Sequence, residues 1–199
     1  IDDAGNLKVE HKQSIKERHI RLNIKEPKIY EHRLDGCAYS YNRFLNEFYF
    51  VDKASGHFEY ILSKSKTKNF LYLRAPRKVE KFARELAENI SRPSDPRLLE
   101  LADTIADLVK EYLEYKFKRI DSLRYVVANT VILEGVNLPI DNLYVLNTHS
   151  LTTKDLTNLI GRVNRLSEVF SGSAPSLEKL RPSVHFVNSE EYSKKNSNM

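Results

Sequence analysis

The sequence predicts an α/β fold: a parallel or mixed sheet covered by helices and preceded by a β-hairpin region. Short apolar runs recur at Phe70-Leu-Tyr-Leu73, Arg124 to Asn129, Asn142 to Asn147 and Val184 to Val187. Segments of helical period separate most of them, and an aromatic stretch with period-two alternation stands in front. Apolar runs alternating with helices are the pattern of strands buried on both faces.

Ile20, Leu22 and Ile24 alternate and predict one charged strand after a loose start. Between Gly36 and Leu62 come Tyr39, Tyr41, Phe44, Phe48, Phe50, Phe58 and Tyr60, interrupted by Asp52-Lys-Ala-Ser-Gly56. Alternation on both sides of those turn residues predicts a hairpin that reverses there. Aromatics beside basic residues can also stack nucleic-acid bases. Packing is the preferred reading, because a half-buried sheet demands the same alternation.

Phe70 to Leu73 predicts a buried strand, and Pro76 suits a helix start because its missing N–H costs nothing there. The helix that follows puts Val79, Phe82, Ala83, Leu86, Ala87 and Ile90 on one face. Ser91 to Asp95 reads as a linker, and Asp95-Pro96 opens a second helix. Its stripe runs from Leu98 through Tyr112 and on through Leu113 to Phe117, unusually long for a globular domain. Two strands, Arg124 to Asn129 and Asn142 to Asn147, then bracket the glycine loop Leu133-Glu-Gly-Val-Asn-Leu-Pro139. A helix over Thr153 to Arg165 buries Leu156, Leu159, Ile160 and Val163, and presents Asn158, Arg162 and Arg165 on another face. The last strand is Val184 to Val187, and the tail from Ser193 is polar.

With 199 residues, 41% of them hydrophobic, the chain can bury a sizeable core. No apolar run approaches the roughly 18 residues of a membrane span, and no secretory pattern opens the chain. The expectation is a soluble, cytoplasmic protein with no membrane partner. The single cysteine, Cys37, excludes an intrachain disulfide, and the six histidines are scattered without metal-ligand spacing, so no metal site is expected. No G-x-S-x-G elbow occurs, and Glu190-Glu191 near the chain end makes a poor acid/base pair. Hydrolase chemistry built on those groups is excluded.

The net charge is +5, and it is unevenly placed. Ser63 to Lys81 holds seven basic residues (Lys64, Lys66, Lys68, Arg74, Arg77, Lys78, Lys81) against Glu80 alone. A basic cluster at a strand-to-helix junction suits a phosphate backbone, and helix N–H groups there add to the attraction. Arg162 and Arg165 offer forked donors that stay charged, as phosphoryl oxygens require. Gly161 weakens its helix by about 1 kcal/mol relative to alanine, which points to close approach of another group. Glu134 and Asn137 place polar tips beside the permissive backbone of Gly135. A strand followed by such a loop is where open α/β sheets bind ligands, and a nucleotide is the expected one.

Thr130-Val-Ile-Leu-Glu-Gly-Val-Asn-Leu-Pro139 resembles motif V of superfamily 2 helicases of the DEAD/DEAH-box-like group, in the branch whose signature ends in GVNLP. Asn158-Leu-Ile-Gly-Arg-Val-Asn-Arg165 is similar to their motif VI, Q-x-x-G-R-x-G-R, and Phe70 to Lys78 more loosely to motif IV. The resemblance runs in order from about Asn69 to Val187. It implies a RecA-like second lobe of an ATP-driven nucleic-acid translocase, over residues 63–192. Residues 1–62 would link to a first lobe, and 193–199 would be a flexible tail.

By that resemblance Arg162 and Arg165 would be catalytic arginine fingers on ATP held by the first lobe. Gly135, Asn137, Asn158 and Gly161 would lie at the nucleotide, and Arg74, Arg77, Lys78, Thr130 and Glu134 would face DNA or RNA. Asn158 stands where the motif has glutamine, Asn164 where it has a second glycine, and Asn129-Thr130-Val131 where threonine-serine-threonine is common. No G-x-x-x-x-G-K-[ST] loop and no D-E-A-D or D-E-x-H segment occurs, so the phosphate cradle and the Mg2+ ligand are expected in the partner lobe. Alone, the chain is expected to lack ATPase activity. The start at Ile1 suggests a piece of a longer protein, and the absent strand and His-His-x-Gly-like segment between Ile90 and Arg119 suggest either a lobe trimmed there or residues missing near Tyr112-Leu113. The alternative is a degenerate RecA-like module that binds only nucleic acid or a protein partner.

Overall fold

Strand β4 (Asn69–Tyr72) shows why the chain folds as it does, since all four of its residues are buried. Phe70 and Tyr72 point to one face of the sheet and Leu71 and Leu73 to the other, so each face needs its own cover. The computed structural model describes residues 26–90, 110–129, 138–149, 151–164 and 177–193. Within them lie β1 (Lys28–His32), β2 (Cys37–Asn42), β3 (Glu47–Lys53), α1 (His57–Lys64), β4, α2 (Pro76–Glu88), α3 (Lys110–Arg119), β5 (Tyr125–Ala128), β6 (Asn142–Val145), α4 (Thr153–Arg162), a 3-10 turn (Leu177–Leu180) and β7 (Ser183–Val187).

The strands form one seven-stranded sheet in the order β3-β2-β1-β7-β6-β4-β5. The five strands from β1 to β5 are mutually parallel, and the β2–β3 hairpin adds two antiparallel strands at one edge. The hairpin continues the same sheet across residue 62, because β1 pairs with β7 through five registered positions. The result is a mostly parallel, helix-flanked α/β sheet with a β-hairpin at one edge.

Phe117 of α3 and Leu159 of α4 cover one face, packed on Phe70, Tyr72, Val126, Leu143, Val145 and Val184. Tyr60 and Ile61 of α1, with Phe82 and Leu86 of α2, cover the other, packed on Leu71, Leu73, Tyr144, Leu146 and Val187. Each such side chain stabilises the fold by about 1.5–3 kcal/mol on burial.

Two expectations are corrected here. The hairpin reverses at residues 43–46, not at Asp52–Gly56. Asn42 Oδ1 accepts from the N–H groups of Phe44 (3.0 Å) and Leu45 (3.3 Å), and Asn46 takes φ 53°, a conformation asparagine tolerates. Phe58 and Tyr60 lie on α1 rather than a strand. Ser55 N–H bonds the Glu59 carboxylate at 2.6 Å, and Tyr60 and Ile61 share the buried face. The second correction concerns α4, which ends at Arg162, three residues before the expected Arg165.

The strand expected at Ile20 to Ile24 lies outside the described residues, as does most of the long helix, of which α3 is described. No helix among the described residues is long and apolar enough to cross a membrane.

Candidate functional site

Chain connectivity locates a crevice between β4 and β6. From β4 the chain passes to α2 on one face, and from β6 to α4 on the opposite face, which opens the sheet at the carboxyl ends of these two strands. Backbone bonds level those ends: Leu73 N–H to the Ala128 carbonyl and Leu146 N–H to the Tyr72 carbonyl, both 3.1 Å.

Arg74 follows β4 directly, and its Nη1 donates to the His149 carbonyl at 3.2 Å, tying the two loops that rim the crevice. Next to it α2 opens with Ala75 at the N-cap and Pro76 in the first turn, without a side-chain cap. Arg77 is exposed at this helix start. Lys78 is otherwise engaged, with Nζ donating to the carbonyls of Glu191 (2.8 Å) and Tyr192 (3.1 Å). Lys81 pairs with the Glu191 carboxylate, and that hydrogen bond holds its ammonium above the usual lysine pKa. The turn that follows β7 therefore lies on the basic end of α2. It is anchored there by fully buried Tyr192, by Asn147 Nδ2 to the Tyr192 carbonyl (3.2 Å) and by Ser193 Oγ to the Leu146 carbonyl (3.1 Å). The sequence marked Glu190-Glu191-Tyr192 only as adjacent acids, because the contact spans over a hundred residues.

Lys68 leaves the basic surface altogether. It is 6% exposed, with Nζ donating to the carbonyls of Ile120 (2.6 Å) and Leu123 (2.9 Å) and lying 4.6 Å from the Phe117 ring centroid. Burial pulls its pKa below the usual lysine value, with Asp121 and Asp141 opposing. It closes the carboxyl end of α3, a structural role.

The second group of predicted residues belongs to α4. Thr152 and Asp155 form a capping box, with Asp155 N–H to Thr152 Oγ1 at 3.1 Å and Thr152 N–H to Asp155 Oδ2 at 3.4 Å. Leu159 anchors the helix, while Asn158 and Gly161 are exposed and Arg162 is half-buried. A Cβ at Gly161 would meet nothing among the described residues within 4 Å, so the close approach that its glycine suggests is not made by them.

At the end of α4 the segment resembling motif VI meets Ile140, the residue that follows the segment resembling motif V. Val163 forms a parallel bridge with Ile140, and Asn164 N–H donates to the Ile140 carbonyl at 2.8 Å. Asn164 adopts φ 45°, the left-handed region, at the position where the helicase pattern carries glycine. Asparagine is the side chain that tolerates this conformation best. Leu138 and Ile140 are buried in the same core as Leu159 and Val163.

The predicted residues thus fall into two groups. Arg74, Arg77 and Lys78 sit at the carboxyl end of β4, whereas Arg162 sits at the far end of α4, level with Ile140 before the amino end of β6. Ten residues of helix, roughly 15 Å, separate the ends of α4. Thr130, Glu134, Gly135, Asn137 and Arg165 lie outside the described residues. Among the described residues no group of three His, Cys, Asp or Glu side chains is placed to hold a metal.

Sequence reasoning also missed a histidine cluster under α1. His185 stacks between Tyr30 and Tyr144 at centroid distances of 4.8 and 4.7 Å, and its Nδ1 shares a 2.8 Å hydrogen bond with the Tyr60 hydroxyl. His32 stacks on Tyr60 at 4.6 Å. Burial, with Lys66 and Lys64 nearby, lowers the His185 pKa to about 3; burial also lowers those of His32 and His57. His32 and His185 are core groups, and His57 is half-buried at the start of α1.

No family model and no curated protein matches the chain. Among solved structures it is similar to one described as the crystal structure of T. fusca Cas3-ADP, at 12% sequence identity and a TM-score of 0.43. The match covers 78% of this chain and 21% of that one, so the chain spans about a fifth of that structure's length. The likeness assigns no role to any residue here.

Proposed function

We propose that this chain is the second RecA-like lobe of an ATP-driven nucleic-acid helicase or translocase. The observation that supports this reading best is the junction at Ile140, Val163 and Asn164. It sets Ile140, the residue directly after the segment resembling motif V, against the segment resembling motif VI, and the left-handed Asn164 accounts for the departure from glycine at that position. The alternative, a degenerate module, drew its support from the altered motif VI, of which Asn158 in place of glutamine still stands.

In this reading the two separated groups serve two ligands. Arg162 and Arg165 would meet the β/γ-phosphates of ATP, whose cradle and Mg2+ are held by a first lobe. Forked guanidinium donors fit phosphoryl oxygens, and this chain has no Gly-rich loop to hold the nucleotide itself. Arg74 and Arg77, beside the N-terminus of α2, would hold the nucleic-acid backbone together with Thr130 and Glu134, and Gly135 and Asn137 would couple the two ligands.

The test is ATP turnover in the two-lobe parent protein. Arg162→Ala and Arg165→Ala should each lower kcat by about a hundredfold or more. Unchanged turnover in both variants would end the proposal.

A further inference from the structure

Among the described residues β3 is the outermost strand of the sheet, paired with β2 on one side only. With the turn before it, β3 carries most of the exposed large apolar side chains: Phe44 (79%), Leu45, Phe48, Tyr49, Phe50 (63%) and Val51. An edge strand seven residues long, paired on one side only among the described residues, is a template for another strand. Its side chains require that strand to be apolar.

Charge argues against a nucleic acid on this edge. From Glu26 to Lys53 there are four basic residues and five acidic ones. Arg33 is ion-paired with Glu31 at 3.2 Å and Arg43 with Glu26 at 3.4 Å. The strand instead complements itself. Glu47-Phe-Tyr-Phe-Val-Asp-Lys53 carries an acid at one end, a base at the other and an apolar centre.

Laid antiparallel on a copy of itself about Phe50, β3 sets Glu47 opposite Lys53 at both ends, Tyr49 opposite Val51, and Phe50 opposite Phe50. Opposite charges and aromatic/β-branched pairs are favourable cross-strand neighbours. Val51 is the residue that the register shift leaves without a partner on β2, so it is available to the new strand. Phe48 falls opposite Asp52, whose carboxylate Lys64 already holds at 2.7 Å.

We propose that β3 is a homotypic interface, through which two copies of this chain pair antiparallel about a two-fold axis at Phe50, joining their sheets into one. Sedimentation equilibrium of the 199-residue chain tests it, over a range from about 1 to 200 µM where edge-paired dimers associate. The mass should rise from 23.2 kDa toward twice that value. Glu47→Lys and Lys53→Glu each set like charges opposite one another and should weaken association about tenfold, while the double variant E47K/K53E should recover to within about threefold of wild type. Both positions are exposed, and circular dichroism checks that the variants fold. In a Cys37→Ser background, Phe50→Cys should cross-link two chains under mild oxidation. The proposal is overturned if the chain stays at 23.2 kDa throughout, if the double variant associates no better than the singles, or if assembly needs added single-stranded oligonucleotide.

Discussion

The backbone N–H of Asn164 donates to the carbonyl of Ile140 at 2.8 Å, and it does so from a left-handed residue that closes α4. This bond holds the end of the segment resembling motif VI against Ile140, the residue that follows the segment resembling motif V. Asn164→Gly should therefore be nearly neutral. Asn164→Val should cost about 1–2 kcal/mol, because a β-branched side chain resists φ near +45°. Thermal melts should place the valine variant about 2–8 °C below wild type; equal melting of all three proteins would argue against a fixed left-handed turn.

Gly161 separates stability from function. Since an added Cβ meets no described neighbour, Gly161→Ala should stabilise α4 by up to about 1 kcal/mol. If, as proposed, the nucleotide or a facing lobe packs against Gly161, the same change in the two-lobe protein should slow ATP turnover. A variant that is both more stable and fully active would leave this glycine without a functional reason.

Lys68 and Arg77 should behave in opposite ways, although both belong to the same basic run of sequence. Lys68→Met leaves the Ile120 and Leu123 carbonyls unpaired, at a cost of about 1–3 kcal/mol. It should leave affinity for an oligonucleotide unchanged. Arg77→Glu should barely alter the melting temperature, yet weaken oligonucleotide binding and flatten its dependence on salt. Fluorescence anisotropy across a salt series, beside thermal melts, reads both variants.

The buried His185 predicts an acid-sensitive fold. Burial holds its pKa at about 3 in the native protein against 6.5 for an ordinary imidazole, so the unfolded chain binds more protons below pH 6.5. The stability this provides is complete above about pH 6.5 and lost as pH falls toward 3. Between pH 6.5 and 5 the loss from this group is about 2 kcal/mol. His185→Phe should be less stable at neutral pH, because it strands the Tyr60 hydroxyl, but its stability should change less across that window. Urea unfolding at a series of pH values measures both slopes.

Much of the fold was legible because its signals are local. The runs at Phe70, Asn142 and Val184 are buried on both faces, and Pro76 marks the start of α2, so these elements fall where periodicity places them. The hairpin turn was misplaced because Asp52 to Gly56 is richer in turn formers than the true turn, which depends on the Asn42 side chain. Phe58 and Tyr60 alternate as a strand would, yet the capping bond from Ser55 N–H to Glu59 and the burial of Tyr60 with Ile61 favour a helix. No proline or glycine follows α4, and Gly161 lies inside its last turn rather than after it; the helix stops at a tertiary bond to Ile140. Lys68 counted as surface charge because composition is blind to burial. Parallel strands brought His185 between Tyr30 and Tyr144, and such pairing across more than forty residues leaves no trace in a local pattern.

The most direct measurement is steady-state ATP turnover by the two-lobe parent protein carrying Arg162→Lys, with oligonucleotide affinity measured alongside. Lysine keeps the charge and loses the forked donor set. If Arg162 completes the nucleotide site, kcat should fall at least about tenfold while oligonucleotide Kd stays within about threefold of wild type. A kcat equal to wild type, or a loss of oligonucleotide binding that matches the loss of turnover, would contradict the assignment.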